Sequence, residues 1–366
     1  MKLTIMAGEL ADAVGWVSHA LPKRPSAPVL GGILAEVDDD GVTFCAFDYD
    51  TSRRITVELD SPLTPGRALL PGRVLAELVK ALPKGELVDV AVDEKEAVVQ
   101  CGRAEFALPL MPVDDYPNLP KQPAAVGTVH SKMLGYAVAQ AAVAASTDDS
   151  LPLLTGVRLE VGDGLIDLAA TDRYRLTWRT LAWSPVLDGP ADVKALIPAR
   201  ILQDIARSLP EGDVAVGLGD GLASFSCKGR STTVRLLDPE FPDFRAMFAK
   251  VEAATTATVD GGELVKVVKR VALMAPRSTP VRLSFGQGRV LVEAGGEEGR
   301  AAEAVDCKVD GADVTIPFNA AYLVDALNAF TGGPVQVRVS TPGRPCLLKR
   351  ADDDTYQHIV MSIRAS

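Results

Sequence analysis

The sequence predicts an α+β protein built from three tandem repeats, with amphipathic helices in one layer and antiparallel sheets in another. Two observations carry this prediction. An amphipathic helix preceded by proline recurs three times, and each copy lies between stretches of alternating hydrophobicity separated by Asp/Gly turns. The chain has 366 residues, of which 47% are hydrophobic and 23% charged. It is therefore long enough and apolar enough to bury several cores.

The proline-bounded helix is the most recognisable part of each repeat. Proline in the first turn sacrifices no helical hydrogen bond, and a second proline stops the helix in the first two copies. Apolar residues recur at helical spacing, for example Leu75, Leu78 and Leu82 in the first copy. The copies begin 127 and 119 residues apart and extend over Pro71–Pro83, Pro198–Pro210 and Pro317–Phe330.

Another helix precedes each of these by about 60 residues, and hairpins are predicted around both. Short alternating runs such as Val157–Val161 and Val281–Phe285 end at turns that contain glycine. Each repeat therefore has the order helix, strands, helix, strands, with domains expected at 1–121, 122–247 and 248–366. The alternative is three unrelated α+β domains. The preceding helices are predicted over Glu9–Leu21, Ser131–Ala145 and Gly261–Ala275.

The ends of such an array and its charge distribution indicate how it is used. The first and last repeats resemble the middle one and include no distinct cap, so the sequence predicts closure through a second identical chain, head to tail, into a ring homodimer.

The formal net charge is −10, but the predicted helical segments carry +5 and the remainder −15. Any single Lys or Arg is best explained as a solvated surface charge, whereas the concentration of positive charge on the helices fits a surface that faces phosphate. The segments counted are 9–24, 71–84, 131–147, 198–211, 261–277 and 318–332.

Cysteine usage and hydropathy indicate the compartment. Five cysteines are scattered without a C-x-x-C pair, which predicts reduced thiols in a cytoplasm and no disulfide framework. An acidic residue interrupts the N-terminal region where an export signal would remain apolar. No run approaches the ~18–20 apolar residues that span a bilayer. We therefore expect a cytoplasmic, nucleoid-associated protein with no membrane partner.

Several short motifs, in their order and spacing, resemble those of the bacterial DNA polymerase III β subunits, the replication sliding clamps, over essentially the whole chain. The motifs are Lys23-Arg-Pro-Ser-Ala-Pro-Val-Leu-Gly31, Leu153-Leu-Thr-Gly-Val157, Ala169-Ala-Thr-Asp-Arg-Tyr-Arg-Leu176, Phe241-Pro-Asp-Phe244 and Ile359-Val-Met-Ser-Ile-Arg364.

The resemblance implies three DNA-clamp domains per chain and a ring homodimer around double-stranded DNA, without catalysis, cofactor or metal. It implies that the ring tethers the DNA polymerase III α subunit, the clamp loader, repair polymerases that carry a clamp motif and mismatch-repair proteins. Phosphate contacts supply affinity without sequence information, which suits a ring that slides. The DNA-binding residues expected on the helices and their loops are Lys23, Arg24, Arg73, Lys80, Lys132, Arg200, Arg207, Lys266 and Lys269.

The family binds short linear peptides in a cleft between its second and third domains, and the resemblance places that cleft here. Buried apolar anchors contribute roughly 1.5–3 kcal/mol each, and methionine adapts to several partners. We call the matching set the predicted peptide pocket: Leu154, Thr171, Arg173, Tyr174, Arg175, Leu176, Pro242, Ala246, Met247, Pro345, Cys346, Val360, Met361, Ser362, Ile363 and Arg364.

Two positions depart from the family pattern. Ser362 stands where the family usually has proline, and Ala246 stands where a basic residue is common. Because proline fixes φ and lacks an N–H donor, we expect serine to free the tail and alter pocket affinity. One hypothesis is a duplicate clamp whose pocket tolerates a clamp-binding antibiotic while it still accepts partner peptides.

The resemblance also locates the seam between two chains. It joins the edge strand of the first domain to the third domain near its first helix, with strand pairing and apolar contacts dominating, since exposed ion pairs contribute only ~0–1 kcal/mol each. The residues expected at this seam are Arg103, Phe106, Leu108, Ala272, Leu273, Glu298 and Glu303.

The competing classes are an enzyme on a repeated scaffold and a peptide-binding scaffold that never encircles DNA. The histidines His19, His130 and His358 show no zinc-ligand spacing, and no nucleophile elbow or P-loop occurs. Asp48 and Asp172 are candidate general bases, but both occupy the same point of their repeats, which favours a role in a turn.

Overall fold

The structure, a computed structural model, describes residues 1–60, 63–162, 164–186, 193–238, 240–274, 279–296, 299–330 and 333–364. The first repeat contains β1 (Lys2–Met6), α1 (Ala7–Ser18), a 3-10 turn (Pro28–Gly31), β2 (Gly32–Val37), β3 (Gly41–Phe47), β4 (Thr51–Glu58), β5 (Gly66–Pro71), α2 (Gly72–Ala81), β6 (Leu87–Val92), β7 (Glu96–Cys101) and β8 (Ala104–Pro109).

The second repeat contains β9 (Ala125–His130), α3 (Ser131–Ala141), 3-10 turns (Ala142–Ala144 and Pro152–Thr155), β10 (Gly156–Val161), β11 (Leu165–Thr171), β12 (Arg175–Ala182), β13 (Ser184–Pro185), β14 (Val193–Pro198), α4 (Ala199–Ser208), β15 (Asp213–Gly219), β16 (Leu222–Cys227), β17 (Arg230–Arg235) and α5 (Phe244–Ala249). The third repeat contains β18 (Thr255–Asp260), α6 (Gly261–Ala272), β19 (Val281–Gly286), β20 (Arg289–Gly296), β21 (Gly299–Gly311), β22 (Val314–Phe318), α7 (Ala320–Asn328), β23 (Pro334–Val339), β24 (Pro345–Arg350) and β25 (Tyr356–Met361).

The predicted triple repeat of helices and antiparallel strands is confirmed. Each repeat runs strand, helix, four strands, helix, three strands, and the second adds the two-residue strand β13 and the short helix α5. The strand that opens each repeat was not predicted. Strands β1, β9 and β18 each end at the residue before a helix begins, so their alternation merges with the helical pattern that follows.

One compact unit comprises Met1–Ser131, Asp204–Leu236 and a short segment that starts at Ser184. It contains a nine-stranded antiparallel sheet, β13-β9-β15-β16-β17-β4-β3-β2-β5, and a four-stranded sheet, β1-β6-β7-β8. The second repeat joins the first through the antiparallel pair β17 and β4, in which Arg230 lies opposite Ile55. Hydrogen bonding therefore continues across the boundary between two repeats.

The other compact unit comprises Lys132–Trp183, Leu237–Ser366 and a segment that ends at Gln203. Its single twelve-stranded antiparallel sheet has the order β14-β10-β11-β12-β25-β24-β23-β18-β21-β20-β19-β22. Strand β12 of the second repeat pairs with β25 of the third, and Arg175 lies opposite Val360. The rule is the same as in the first unit: the fourth strand of one repeat pairs with the last strand of the next.

Helix α6 buries one face in the core of the third repeat and leaves a basic face exposed. In α6, Leu264 and Val268 are buried in the core of the third repeat, whereas Lys266 and Lys269 are exposed. Because residues three and four apart share a helix face, the sequence separates the two kinds of side chain without further help.

Among the described residues, β8 and the first half of β21 each have an open edge beside their one partner strand. Strand β8 pairs on one side only, with β7. The Gly299–Asp306 half of β21 pairs with β20 on one side, and β18 joins the other side only from Cys307 onward. Each edge presents a row of unpaired backbone N–H and C=O groups, the form of surface that accepts another strand.

A buried arginine also joins the first two repeats. Arg53 on β4 is 1% exposed and donates to the carboxylate of Asp204 on α4 and, at 3.3 Å, to the carbonyl of Trp16 on α1. Its guanidinium carbon lies 4.9 Å from the centre of the Trp16 ring. Beside it, Arg230 pairs with Asp12. The junction therefore combines an ion pair with a cation–π contact.

Candidate functional site

The C-terminal strand and the residues after it form one side of the predicted peptide pocket. The Met361 N–H donates to the Tyr174 carbonyl at 2.8 Å, which extends the pairing of β12 with β25. The Ile363 N–H donates to the Pro317 carbonyl, also at 2.8 Å. The tail is therefore hydrogen bonded to both the second and the third repeat.

Ser362 fixes this tail, which makes the expectation that serine would free it wrong. The Ser362 N–H lies 3.3 Å and its hydroxyl 2.7 Å from the Arg344 carbonyl, and the residue is buried. A hydrogen bond thus replaces the rigidity that a proline ring would give. The Cys346 thiol contacts the same carbonyl at 3.7 Å, and burial raises its pKa to about 12. That thiol is accordingly neutral and a poor nucleophile.

The loop between β11 and β12 is an aspartate-capped turn. The Asp172 carboxylate accepts the N–H groups of Tyr174 and Arg175 at 2.9 and 2.8 Å, and Arg173, directly after Asp172, has φ of 78°. Asp48 caps the equivalent turn of the first repeat, at 3.0 and 2.6 Å. The role predicted for these two aspartates is confirmed, since backbone donors engage their carboxylates.

Arg175 links the pocket loop to α7. Its Nε donates to Asp172 at 2.9 Å and one terminal nitrogen to Asp325 at 3.0 Å, while the guanidinium lies 4.4 Å from the centre of the Tyr322 ring. The Tyr322 and Tyr174 rings stack with centroids 6.1 Å apart. The sequence did not point to Tyr322, because an aromatic residue in an amphipathic helix is expected to pack in the core.

The helix α5 contains Ala246 and Met247 of the predicted peptide pocket. Asp243 caps it by accepting the Ala246 N–H at 3.0 Å. Phe244 is buried against Trp178, with ring centroids 5.5 Å apart. These anchors leave Met247 44% exposed on the outer face of the helix. A helix of six residues has little stability of its own, so tertiary contacts fix where Met247 lies.

Arg245 is the polar anchor of the same helix. Its guanidinium donates to both Glu160 and Asp167 on the neighbouring strands and lies 4.5 Å from the centre of the Phe244 ring. Burial alone would raise the pKa of Glu160, but hydrogen bonds from Arg245 and Arg158 hold it below its ordinary value. The Glu160 carboxylate therefore stays charged and remains ion-paired with Arg245 of the helix.

The sixteen residues of the predicted peptide pocket all belong to one compact unit and differ in exposure. Leu176 and Val360 are core residues. The exposed members are Arg173, Tyr174, Pro242, Met247, Ile363 and Arg364; the half-buried ones are Leu154, Arg175, Ala246, Pro345 and Met361; the buried ones are Thr171, Leu176, Cys346, Val360 and Ser362.

His358 is the one buried histidine among the described residues. Its Nδ1 lies 3.0 Å from the Tyr356 hydroxyl, and burial lowers its pKa to about 3. It is therefore neutral near pH 7 and serves as core. Within the described ranges no cluster of His, Cys, Asp or Glu has a metal-binding arrangement. No helix there has the length and apolarity to cross a membrane.

The residues predicted to contact DNA are all exposed. Arg73 donates to the carbonyls of Pro22 and Lys23 at 3.2 and 2.6 Å, so it braces the loop that also carries Arg24. The structure thus brings three of the predicted cations of the first repeat together. The nine exposed residues are Lys23, Arg24, Arg73, Lys80, Lys132, Arg200, Arg207, Lys266 and Lys269.

The residues predicted for the seam between chains differ in their exposure to solvent. Phe106 on the open edge of β8 is 37% exposed and Leu273 at the end of α6 is 82% exposed. Arg103 is exposed and Ala272 half-buried. Leu108, in contrast, packs into the core of the first repeat.

Not all of the acidic residues predicted at the seam are free to pair with a second chain. Glu303 pairs with Arg270 of the same repeat, whose Nε lies 3.0 Å from the carboxylate, and this pairing lowers the pKa of Glu303. Glu298 lies outside the described residues.

Family models of the DNA polymerase III beta subunit match nearly all of the chain. The N-terminal domain model matches residues 1–120, the central domain model 128–243 and the C-terminal domain model 250–364. The chain is 40% identical to the beta sliding clamp of Streptomyces coelicolor, over 100% of both chains. It is 35% identical to the beta sliding clamp homolog GriR of Streptomyces muensis, over 100% of this chain and 99% of the relative.

A solved structure agrees with the sequence comparison. The fold superposes on the sliding clamp of Pseudomonas aeruginosa bound to griselimycin with a TM-score of 0.94, at 26% identity and with 100% of both chains covered. With this likeness and three domain models matched in order, the chain belongs to the beta sliding clamp family, the DNA polymerase III beta subunits.

Proposed function

We propose that two copies of this chain close head to tail into a ring around duplex DNA and tether other replication proteins to it. The family is the non-catalytic processivity subunit of DNA polymerase III, so the chain acts as a topological tether and no reaction is assigned to it. The partners are the polymerase α subunit, the clamp loader, repair polymerases and mismatch-repair proteins. The three clamp domains extend over 1–121, 122–247 and 248–366.

The two leftover strand edges carry this proposal. Inside the chain, the fourth strand of a repeat pairs with the last strand of the next repeat, as β4 does with β17 and β12 with β25. Continuing the rule, β21 of the third repeat needs the last strand of another repeat, and β8 of the first repeat is left over. Pairing β21 of one chain with β8 of a second chain satisfies both edges and closes a two-fold ring.

The seam is tested by oligomeric state. Leu273 and Phe106 supply apolar surface beside the two edges. We expect the double variant Leu273→Ala with Ala272→Asp to sediment as a monomer, whereas Leu165→Ala, at an exposed leucine of the second repeat, leaves the dimer intact. A double variant that remains dimeric would place the seam elsewhere.

The encirclement of DNA is tested by topology. Exposed cations on the helices attract phosphate in a salt-dependent manner, with contacts too few to hold the ring at one position. We expect the loaded protein to stay on a nicked circular plasmid and to leave when the plasmid is linearised. Retention that does not depend on circularity would favour a simple binding scaffold or an enzyme, the two alternatives that the family match disfavours.

The predicted peptide pocket is proposed as the site that holds partners. Met247, Leu154 and Met361 offer partly accessible apolar surface, and Arg173 and Arg364 stand exposed to engage peptide carbonyls or acidic groups. Burying one leucine or phenylalanine anchor there contributes roughly 1.5–3 kcal/mol. The site is therefore suited to short linear peptides with apolar anchors.

We further propose that this is a duplicate clamp whose pocket tolerates a clamp-binding antibiotic. Ser362 and Ala246 are the two departures, and a sliding clamp of similar fold has been solved with griselimycin bound. Ser362→Pro removes both donors to the Arg344 carbonyl, and Ala246→Arg restores a basic residue. We expect griselimycin to bind these variants more tightly than the wild type, while a polymerase-tail peptide changes less. Equal griselimycin affinity for all three proteins would end this proposal.

The proposed location is the cytoplasm, associated with the nucleoid. A clamp that holds polymerase on DNA works where the chromosome is copied. A fluorescent fusion should form foci that coincide with replication, and a uniform or peripheral distribution would contradict this location.

A further inference from the structure

A pocket between α3 and α7 remains unassigned by the function above. It has a volume of about 540 Å3 and lies within one compact unit. Its walls are mainly apolar and include Tyr136, Ala139 and Val143, with the side chains of Gln140 and Asp325 as polar members. Size and composition fall in the range of sites that hold small organic molecules.

The repeat shows what fills the equivalent place at the other junction of the chain. Gln140 is the tenth residue of α3, and the tenth residue of α1 is Trp16. Asp325 is the sixth residue of α7, and the sixth residue of α4 is Asp204. At the first junction an indole ring is thus built into the protein, whereas the second has a shorter amide.

A second aromatic ring is missing at the same place. His19 follows α1 at the position that Val143 holds after α3, and the His19 Nδ1 lies 3.2 Å from the Asp204 carboxylate. Val143 offers Asp325 no such partner. The first junction therefore contains two heteroaromatic rings, one against the aspartate, where the second has an aliphatic side chain and a pocket.

The acceptors at the pocket are oriented and incompletely used. Asp325 accepts one hydrogen bond from Arg175 at 3.0 Å and is about half exposed, which leaves capacity on its carboxylate. The Gln140 Nε2 donates to the Ala329 carbonyl at 2.8 Å, which fixes the orientation of the amide. The Gln140 Oε1 is buried and has no partner among the described residues. A buried acceptor of this kind is costly until a donor reaches it.

We propose that this pocket binds a small planar heteroaromatic molecule that carries a ring N–H, of the indole or imidazole type. Its ring occupies the space that Trp16 and His19 fill at the first junction, and its N–H donates to the Asp325 carboxylate. The site is distinct from the predicted peptide pocket, and the inference goes beyond the proposed function because it depends only on the α3–α7 junction.

The test uses indole as the probe and the full-length protein, with binding followed by ligand-observed NMR. We expect saturable binding by the wild type, and about tenfold weaker binding of 1-methylindole, which lacks the donor. Gln140→Trp, which copies the first junction, should reduce indole affinity at least tenfold. Ala139→Trp, at an exposed position on the rim, blocks the pocket without altering the buried amide.

Each result of the binding experiment supports or overturns a stated part of this proposal. No saturable indole binding by the wild type, or equal indole affinity for the wild type and a folded Trp variant, overturns the inference. Equal affinity for indole and 1-methylindole overturns the assigned hydrogen bond. Retention on circular DNA is measured separately on the same proteins, so a failure of the clamp function is distinguishable from a failure of this site.

Discussion

The ion pair at the first junction gives the most direct test of how this protein is held together. Replacing Asp204 with alanine removes the carboxylate that faces Arg53 and leaves the guanidinium, 1% exposed, with only the Trp16 carbonyl at 3.3 Å as a described hydrogen-bond acceptor. Burial lowers the pKa of Arg53 and the charge of Asp204 raises it, yet arginine stays protonated at neutral pH. The variant therefore contains an uncompensated buried cation.

The size of the effect follows from the exposure of each partner. Removing one member of a fully buried pair costs about 3–5 kcal/mol. The Asp204 side chain is 45% exposed, so water can reach part of the site once the carboxylate is gone. We therefore expect about 3 kcal/mol for Asp204→Ala, at the lower end of that range. Asp12→Ala breaks the neighbouring Arg230 pair, whose aspartate is 63% exposed, and should cost at most about 1 kcal/mol.

The assay is equilibrium unfolding in urea, followed by tryptophan fluorescence, because the Arg53 guanidinium lies against the Trp16 ring. The double variant Arg53→Met with Asp204→Ala removes both charges, and we expect it to be more stable than Asp204→Ala alone. If Asp204→Ala destabilises the protein no more than Asp12→Ala does, Arg53 does not depend on this carboxylate. A double variant less stable than Asp204→Ala alone would show that the buried cation is not the source of the loss.

Three further predictions concern the strands and helices around the pocket. His358→Asn should flatten the pH dependence of stability. Burial lowers the folded pKa of His358 to about 3, so between pH 3 and 6.5 the unfolded state binds the extra proton, and lowering the pH through this range reduces stability by at most about 1.4 kcal/mol per pH unit. Arg245→Ala should weaken a partner peptide several-fold in fluorescence anisotropy, since α5 loses the anchor that positions Met247. Tyr322→Ala should weaken the same peptide about five- to tenfold, because Arg175 loses a cation–π partner.

Conservative variants make these predictions specific. Arg245→Lys retains the charge and should recover part of the peptide affinity, and Tyr322→Phe retains the ring and should bind nearly as the wild type does. Peptide affinities that stay equal in Arg245→Ala or Tyr322→Ala would remove the corresponding residue from the positioning of the pocket. An unchanged slope of stability against pH in His358→Asn would show that this histidine does not titrate differently in the two states.

Much of the fold was predictable because it depends on local chemistry. Proline at the helix starts, three- and four-residue apolar spacing and glycine turns each act over a few residues, and together they predicted the triple repeat. The shared turn role of Asp48 and Asp172 was predictable for the same reason. The opening strands were missed, since five alternating residues directly before a helix give no separate signal.

The repeat and the segregation of charge could be read from the sequence alone, because each depends on residue types and their spacing along the chain. Which distant groups meet depends on the tertiary structure: Tyr322 packs on Arg175 across two repeats, Arg245 pairs with two strands of its own repeat, and Ser362 bonds the Arg344 carbonyl within the third repeat. These contacts join residues that are up to about 150 positions apart, so no periodicity within one segment reports them. The pairing of β12 with β25 joins the second and third repeats, and no local pattern connects these two chain segments.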